Sequence, residues 1–149
     1  VGYAEEYIFR GLLQSLFLKK YGLRKNGVFA SILLSSLFFG ALHLLNLTKP
    51  EYPTAQVLIQ VVYATFIGFF FGVVMLKTNK LIPVAITHAL INFFFLLVFL
   101  PGLKPVQDVV DDSVSIGPII ITLPLFIIGL LIYRKLDKKE IIEKIENES

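Results

Sequence analysis

The chain has 149 residues, of which 56% are hydrophobic and 17% are charged, and its formal net charge at pH 7 is +3. Soluble domains carry roughly 25% charged residues. The deficit of charge, together with a mean hydropathy of +0.77, excludes an ordinary soluble domain and indicates an integral membrane protein. The absence of cysteine excludes disulfides, cysteine-based metal sites and a cysteine nucleophile.

Five segments are long and apolar enough to be predicted as membrane helices. In chain order they cover residues 1–18, 28–47, 54–76, 81–100 and 116–133. The expected fold is therefore all-α, a polytopic transmembrane bundle of about five helices. We assign residues 1–133 to this core and residues 134–149 to a charged cytoplasmic tail, predicted to be a surface helix.

The distribution of lysine and arginine predicts the orientation of the segments, because these residues favour the cytoplasmic side. The first loop and the tail are rich in them and are expected in the cytoplasm, which places the loop at 101–113 outside. The chain begins at Val1 without methionine, and its main buried charges follow within ten residues. We therefore expect a longer polypeptide with further membrane helices upstream.

Five ionisable side chains, tyrosines aside, fall inside the apolar segments: Glu5, Glu6, Arg10, His43 and His88. On an α-helix Glu6 and Arg10 are four residues apart and can pair. Glu5 is rotated by about 100° from Glu6 and is free to face another group. A carboxylate in a low-dielectric site without a full partner binds a cation or takes a proton from water, as a catalytic group does.

The two histidines come with polar or aromatic neighbours at helical spacing. Phe39 lies one turn before His43, and Asn92 lies one turn after His88 on the same helix face. Polar groups on three apolar helices are most readily satisfied when they converge on one internal cavity. A structural alternative stays open, in which the Glu6–Arg10 pair only holds helices together and each histidine forms an interhelical hydrogen bond.

One length comparison conflicts with this convergence. At about 1.5 Å per residue, Glu5 lies about 21 Å from Lys19, but His88 lies only about 12 Å beyond Lys80. Either a tilt of the helix or an irregular stretch before Pro83, which would start the helix inside the protein, would reconcile the two lengths.

The ordered motifs resemble those of the CPBP (Abi) family, which includes the type II CAAX prenyl endopeptidases and bacterial relatives linked to bacteriocin processing and self-immunity. The motifs are Glu5-Glu6-xxx-Arg10, Phe39-xxx-His43 and His88-xxx-Asn92. The resemblance covers residues 5–92. It implies an all-helical intramembrane peptidase, and we expect this protein in a prokaryotic plasma membrane.

The resemblance also implies roles for the site residues. Glu5 and His43 would activate a water, while His88 and Asn92 would hold the oxyanion or contribute to a metal site. Arg10 would orient a glutamate, most simply its neighbour one turn earlier, and Phe39 would support the site.

Metal dependence stays open at this point. The sequence has no HExxH motif, yet two histidines and a carboxylate form the ligand set of some catalytic zinc sites. Glu5, His43 and His88 could therefore hold one Zn²⁺ or another divalent metal, and a metal-free mechanism is the alternative.

The leading hypothesis is an intramembrane endopeptidase that acts on a membrane-associated substrate, either a prenylated CAAX terminus or a peptide precursor. The alternative is a non-catalytic membrane binding or bacteriocin self-immunity protein. A proton-coupled transporter also uses buried carboxylates and histidines, but the short chain shows no inverted repeat. The expected partners are the lipid bilayer and a peptide or lipidated-protein substrate, with no nucleic acid.

Overall fold

A computed structural model describes residues 2–50, 52–97 and 115–147 of the chain, and every regular element in these ranges is helical. Helix α1 covers residues 2–21, and α2 covers Gly27–Leu42 and continues as a 3-10 helix over His43–Thr48. The remaining helices are α3 (Thr54–Thr78), α4 (Leu81–Leu97), α5 (Gly117–Arg134) and α6 (Lys138–Asn147). The predicted all-α class is confirmed.

Three helices in the described ranges are long and apolar enough to cross a membrane, namely α2 with its 3-10 extension, α3 and α5. Helix α4 is a shorter apolar helix. Helix α1 is not among the three, because charged side chains interrupt its apolar sequence. The chain is thus a polytopic helical membrane protein, whereas the count of five spans stays a prediction and the loop at 101–113 lies outside the described residues.

Helix α3 is the centre of the bundle, because it packs extensively against both α2 and α5. Phe69 and Val73 of α3 are fully buried in a core cluster that also includes Ile32 of α2 and Leu18 of α1. Ile145 of α6 joins the same cluster. The apolar face of the tail helix therefore covers one end of the core, while Lys138, Lys139, Glu140 and Glu143 are exposed.

Helix α1 differs from the straight α-helix expected for the first segment. Gly2–Glu6 and Gln14–Tyr21 are α-helical, but Tyr7–Leu13 form a π-helix. Hydrogen bonds from residue i to i+5 widen such a turn, and short π segments are frequent at functional sites. Phe9 and Arg10 are adjacent in the chain and both are buried, so the wide turn directs two neighbouring large side chains into the bundle.

The second segment differs from its prediction as well, because its α-helix ends one residue before His43. His43 instead begins the 3-10 helix. A 3-10 helix turns more tightly than an α-helix, so the residues after His43 do not continue the helix face that leads up to it.

Helix α4 starts about half-way along α1, which resolves the conflict in helix lengths. A Cβ placed on Gly11 would lie 3.8 Å from the Leu81 side chain, so the first turn of α4 lies beside the middle of α1. At the other end of this contact, a Cβ on Gly2 would lie 2.9 Å from the backbone nitrogen of Ala89. The short distance from Lys80 to His88 therefore follows from a helix that begins beside the middle of α1.

Replacing Gly2 with alanine is expected to push α1 and α4 apart, because the new methyl group would meet backbone atoms that are unable to rotate away. Overpacking of this kind costs about 1–3 kcal/mol. The measurement is thermal denaturation of the purified protein in detergent. Gly11→Ala in the same helix is the control, since its nearest neighbour would lie at an ordinary 3.6 Å; equal loss in both variants would contradict the close approach.

Candidate active site

The carboxylate of Glu6 is the centre of the candidate site. Its Oε1 accepts a hydrogen bond from Arg10 Nη1 at 2.9 Å and is 2.7 Å from Nδ1 of His88. The side chains of Glu6 and Arg10 are fully buried, and that of His88 is 8% exposed. The predicted pairing of Glu6 with Arg10 is therefore present, and the same oxygen also connects α1 to α4.

The ring of His88 lies between the two consecutive carboxylates. Nδ1 faces Glu6, and Nε2 lies 3.4 Å from Oε2 of Glu5. An ionised carboxylate only accepts hydrogen bonds, so Nδ1 of His88 carries the proton shared with Glu6. Nε2 is then presented to Glu5, whose side chain is 27% exposed. Of the two glutamates, Glu5 is the one that a water or a substrate can reach.

Phe39 of α2 joins the other aromatic and charged groups of the site. The Arg10 guanidinium lies 4.5 Å from the centre of the Phe39 ring, which is a favourable cation–π contact. The rings of His43 and His88 approach the same phenyl ring edge-on, with centroids 5.4 and 5.7 Å from it. Phe39 therefore lies against both histidines, and its own buried position is fixed by Phe9 at 5.2 Å.

His43 lies next to the cluster but is not bonded to its carboxylates. Its Nδ1 is 3.1 Å from the backbone carbonyl oxygen of Phe39, and because a carbonyl accepts, this nitrogen donates and Nε2 is left free. Asn92 is half-buried one turn after His88, and its amide forms no hydrogen bond with the described part of the chain. The structure thus brings Glu5, Glu6 and His88 together and leaves His43 and Asn92 at the periphery.

The predicted metal ligands do not form one coordination group here. No set of three or more His, Asp or Glu side chains in the described ranges is arranged to hold a metal ion. Glu5 is close to His88, but the third predicted ligand, His43, is held by the Phe39 carbonyl. The donor set therefore does not fit a metal in this arrangement.

The sequence analysis did not identify two residues at the site, Gln14 and Phe71. Gln14 is buried one turn beyond Arg10; its amide donates to the carbonyl of Gly72 at 3.0 Å and accepts from Ser35 at 3.4 Å. Its position on the same helix face as Glu6 and Arg10 is the sequence feature that could have identified it. Phe71 contacts the His88 ring at 5.7 Å, but nothing in a run of three phenylalanines marks the one that reaches the site.

Comparison with protein families gives one match, in which the family described as type II CAAX prenyl endopeptidase Rce1-like covers residues 1–94. This region includes all the predicted site residues, with the helices α1 to α3 and most of α4. Comparisons with curated proteins and with solved structures gave no match.

Replacing Arg10 with methionine is expected to lower the free energy of unfolding by about 3–5 kcal/mol, because it leaves a buried carboxylate without its cation. Replacing Glu6 with glutamine in the same chain removes that charge and should restore part of the loss. Denaturation of the single and double variants in detergent measures both effects. A double variant as unstable as Arg10→Met would show that the ion pair is not what the bundle depends on.

Proposed function

Because the chain belongs to the Rce1-like family of type II CAAX prenyl endopeptidases, we propose that it is an intramembrane endopeptidase that hydrolyses a peptide bond of a membrane-associated substrate. The observation that carries the proposal is the His88 imidazole held between a buried and a partly exposed carboxylate. Buried ionisable groups of this kind in membrane proteins are functional by default.

In the proposed reaction, Glu5 is the general base. It accepts a proton from water while the water oxygen attacks the carbonyl carbon of the scissile bond. The proton is then delivered to the leaving nitrogen as the carbon–nitrogen bond breaks, which yields one carboxylate and one amine. The partial exposure of Glu5 supports this role, since a fully buried carboxylate would have no access to water.

Glu6 is the proposed positioning residue, because it contacts His88 and not the reacting atoms. It fixes the imidazole through Nδ1 and so directs Nε2 toward Glu5. Arg10 holds Glu6 in turn.

His88 and Asn92 are the proposed donors to the tetrahedral oxyanion. Preorganised donors at the developing charge supply a large part of the catalysis of acyl transfer. Both residues lie on one face of α4, and the amide of Asn92 makes no competing hydrogen bond among the described residues. His43 is proposed to share the water through its free Nε2, since catalytic contacts often shorten only when substrate is bound.

The proposed substrate is a peptide presented by the membrane, with a prenylated CAAX terminus as the first class to test because the matched family bears that description. A secreted-peptide precursor is the second class. The tail helix α6 is proposed to face the cytoplasm, on the basis of the lysines and arginines that flank it.

We expect the purified protein to be active without a bound metal, because Glu5, His43 and His88 are not grouped as ligands. The check is the zinc content per chain, measured beside peptidase activity before and after treatment with a chelator. A stoichiometric metal that disappears in His43→Ala together with the activity would show instead that these residues close around a cation.

Replacing Glu5 with glutamine is expected to lower peptide cleavage by roughly 100- to 10,000-fold, because the amide is unable to accept the proton from water. The measurement compares new peptide termini in membranes that contain wild-type or variant protein at matched abundance. It requires no prior choice of substrate, since termini that depend on Glu5 identify the substrates directly.

The control for this experiment is Glu143→Gln, the same chemical change at an exposed position of α6. It should leave the set of termini unchanged. Identical termini from all three proteins, while the wild type and Glu5→Gln retain the same biological effect, would favour the non-catalytic binding or immunity alternative over the peptidase.

A further inference from the structure

A cavity lies at the end of the bundle where α1 and α3 finish and α6 begins. Its volume is about 450 Å³, which falls within the range of roughly 300–1,000 Å³ typical of small-ligand sites. Buried Arg10, Gln14 and Leu18 line it, together with exposed Lys19 near the end of α1. The cavity therefore has a buried floor and an exposed rim.

The rim is basic. Three lysines from three separate segments line the cavity: Lys19 of α1, Lys77 of α3 and Lys135 after α5. They contribute three positive charges, against two negative charges from Asp137 and Glu140, and Arg10 is not counted because it is paired with Glu6. Asp137 is already engaged, because its Oδ1 accepts the backbone N–H groups of Lys139 at 3.0 Å and Glu140 at 3.3 Å at the start of α6. The cavity keeps an excess of positive charge.

The guanidinium group of Arg10 is not among the groups that the cavity offers to a ligand. The side chain of Arg10 is fully buried and its Nη1 binds Glu6. Its Nε and Nη2 are closed off from solvent, with Nη2 close to Gly68 of α3. The groups that a ligand can reach are therefore the lysines of the rim.

We propose that this cavity binds a phosphate-bearing anion, held by the three lysines of its rim. Phosphate oxygens match lysine ammonium groups in both charge and hydrogen bonding. The helices α3 and α5 end at this rim, and lysines at the ends of apolar spans lie at the depth of lipid headgroups. A lipid headgroup and a free phosphate compound share this chemistry, and the site is independent of the proposed peptidase activity.

The experiment uses a pair of matched triple variants of the full chain. The cavity variant is Lys19→Gln, Lys77→Gln and Lys135→Gln, and the control is Lys20→Gln, Lys80→Gln and Lys139→Gln. The control changes the net charge equally, at neighbouring positions that do not line the cavity. Native mass spectrometry in neutral detergent measures the binding of phosphatidylglycerol, with phosphatidylcholine as the reference lipid. Inorganic phosphate is titrated separately by thermal shift.

We expect phosphatidylglycerol or inorganic phosphate to bind the wild type, and the cavity variant to lose roughly tenfold or more in affinity. The control should lose no more than about twofold. Phosphate binding with the same lysine dependence identifies a soluble ligand, and selective binding of phosphatidylglycerol over phosphatidylcholine identifies a lipid headgroup. Equal losses in both variants, or none in either, would overturn the proposal. If a triple variant misfolds on size exclusion, Lys77→Gln against Lys80→Gln makes the same comparison.

Discussion

The bundle depends on the polar contacts of one carboxylate, that of Glu6, which is buried among apolar helices. A charge that is removed from water is tolerated only where its partners compensate for most of the lost hydration energy. Arg10 does so from the same helix and His88 does so from α4. Helix α4 packs mainly against the first turns of α1 and far less against α3, so this carboxylate lies at the principal contact that holds α4 in place.

The aromatic residues around this carboxylate give the site its shape. Phe39 of α2 and Phe71 of α3 both contact the Arg10 guanidinium and the His88 ring. They exclude water from Arg10 without offering it hydrogen-bond acceptors, which strengthens its attraction to Glu6. Four helices therefore meet at one buried ion pair, and the partly exposed Glu5 lies at the edge of that group.

Arg10 lies between the two regions proposed for this chain. Its Nη1 binds the Glu6 carboxylate, and the basic cavity lies toward the lysine-rich end of the bundle. The π-helical turn that contains it directs both Phe9 and Arg10 inward. A single wide turn thus places this guanidinium inside the bundle, although α1 is otherwise a regular helix at both ends.

Composition and local spacing were enough to determine the membrane class, the helical fold, the three motifs and the Glu6–Arg10 pair, because each depends on residues close together on one helix. The contact between Glu6 and His88 joins residues 82 positions apart, and only the packing of α4 against the first turns of α1 decides it. The same packing places His88, and not His43, next to Glu5. It also places Phe71, one of three consecutive phenylalanines, against the His88 ring. Helical periodicity determines which side chains share a face, but the depth and rotation at which two faces meet depend on the whole bundle.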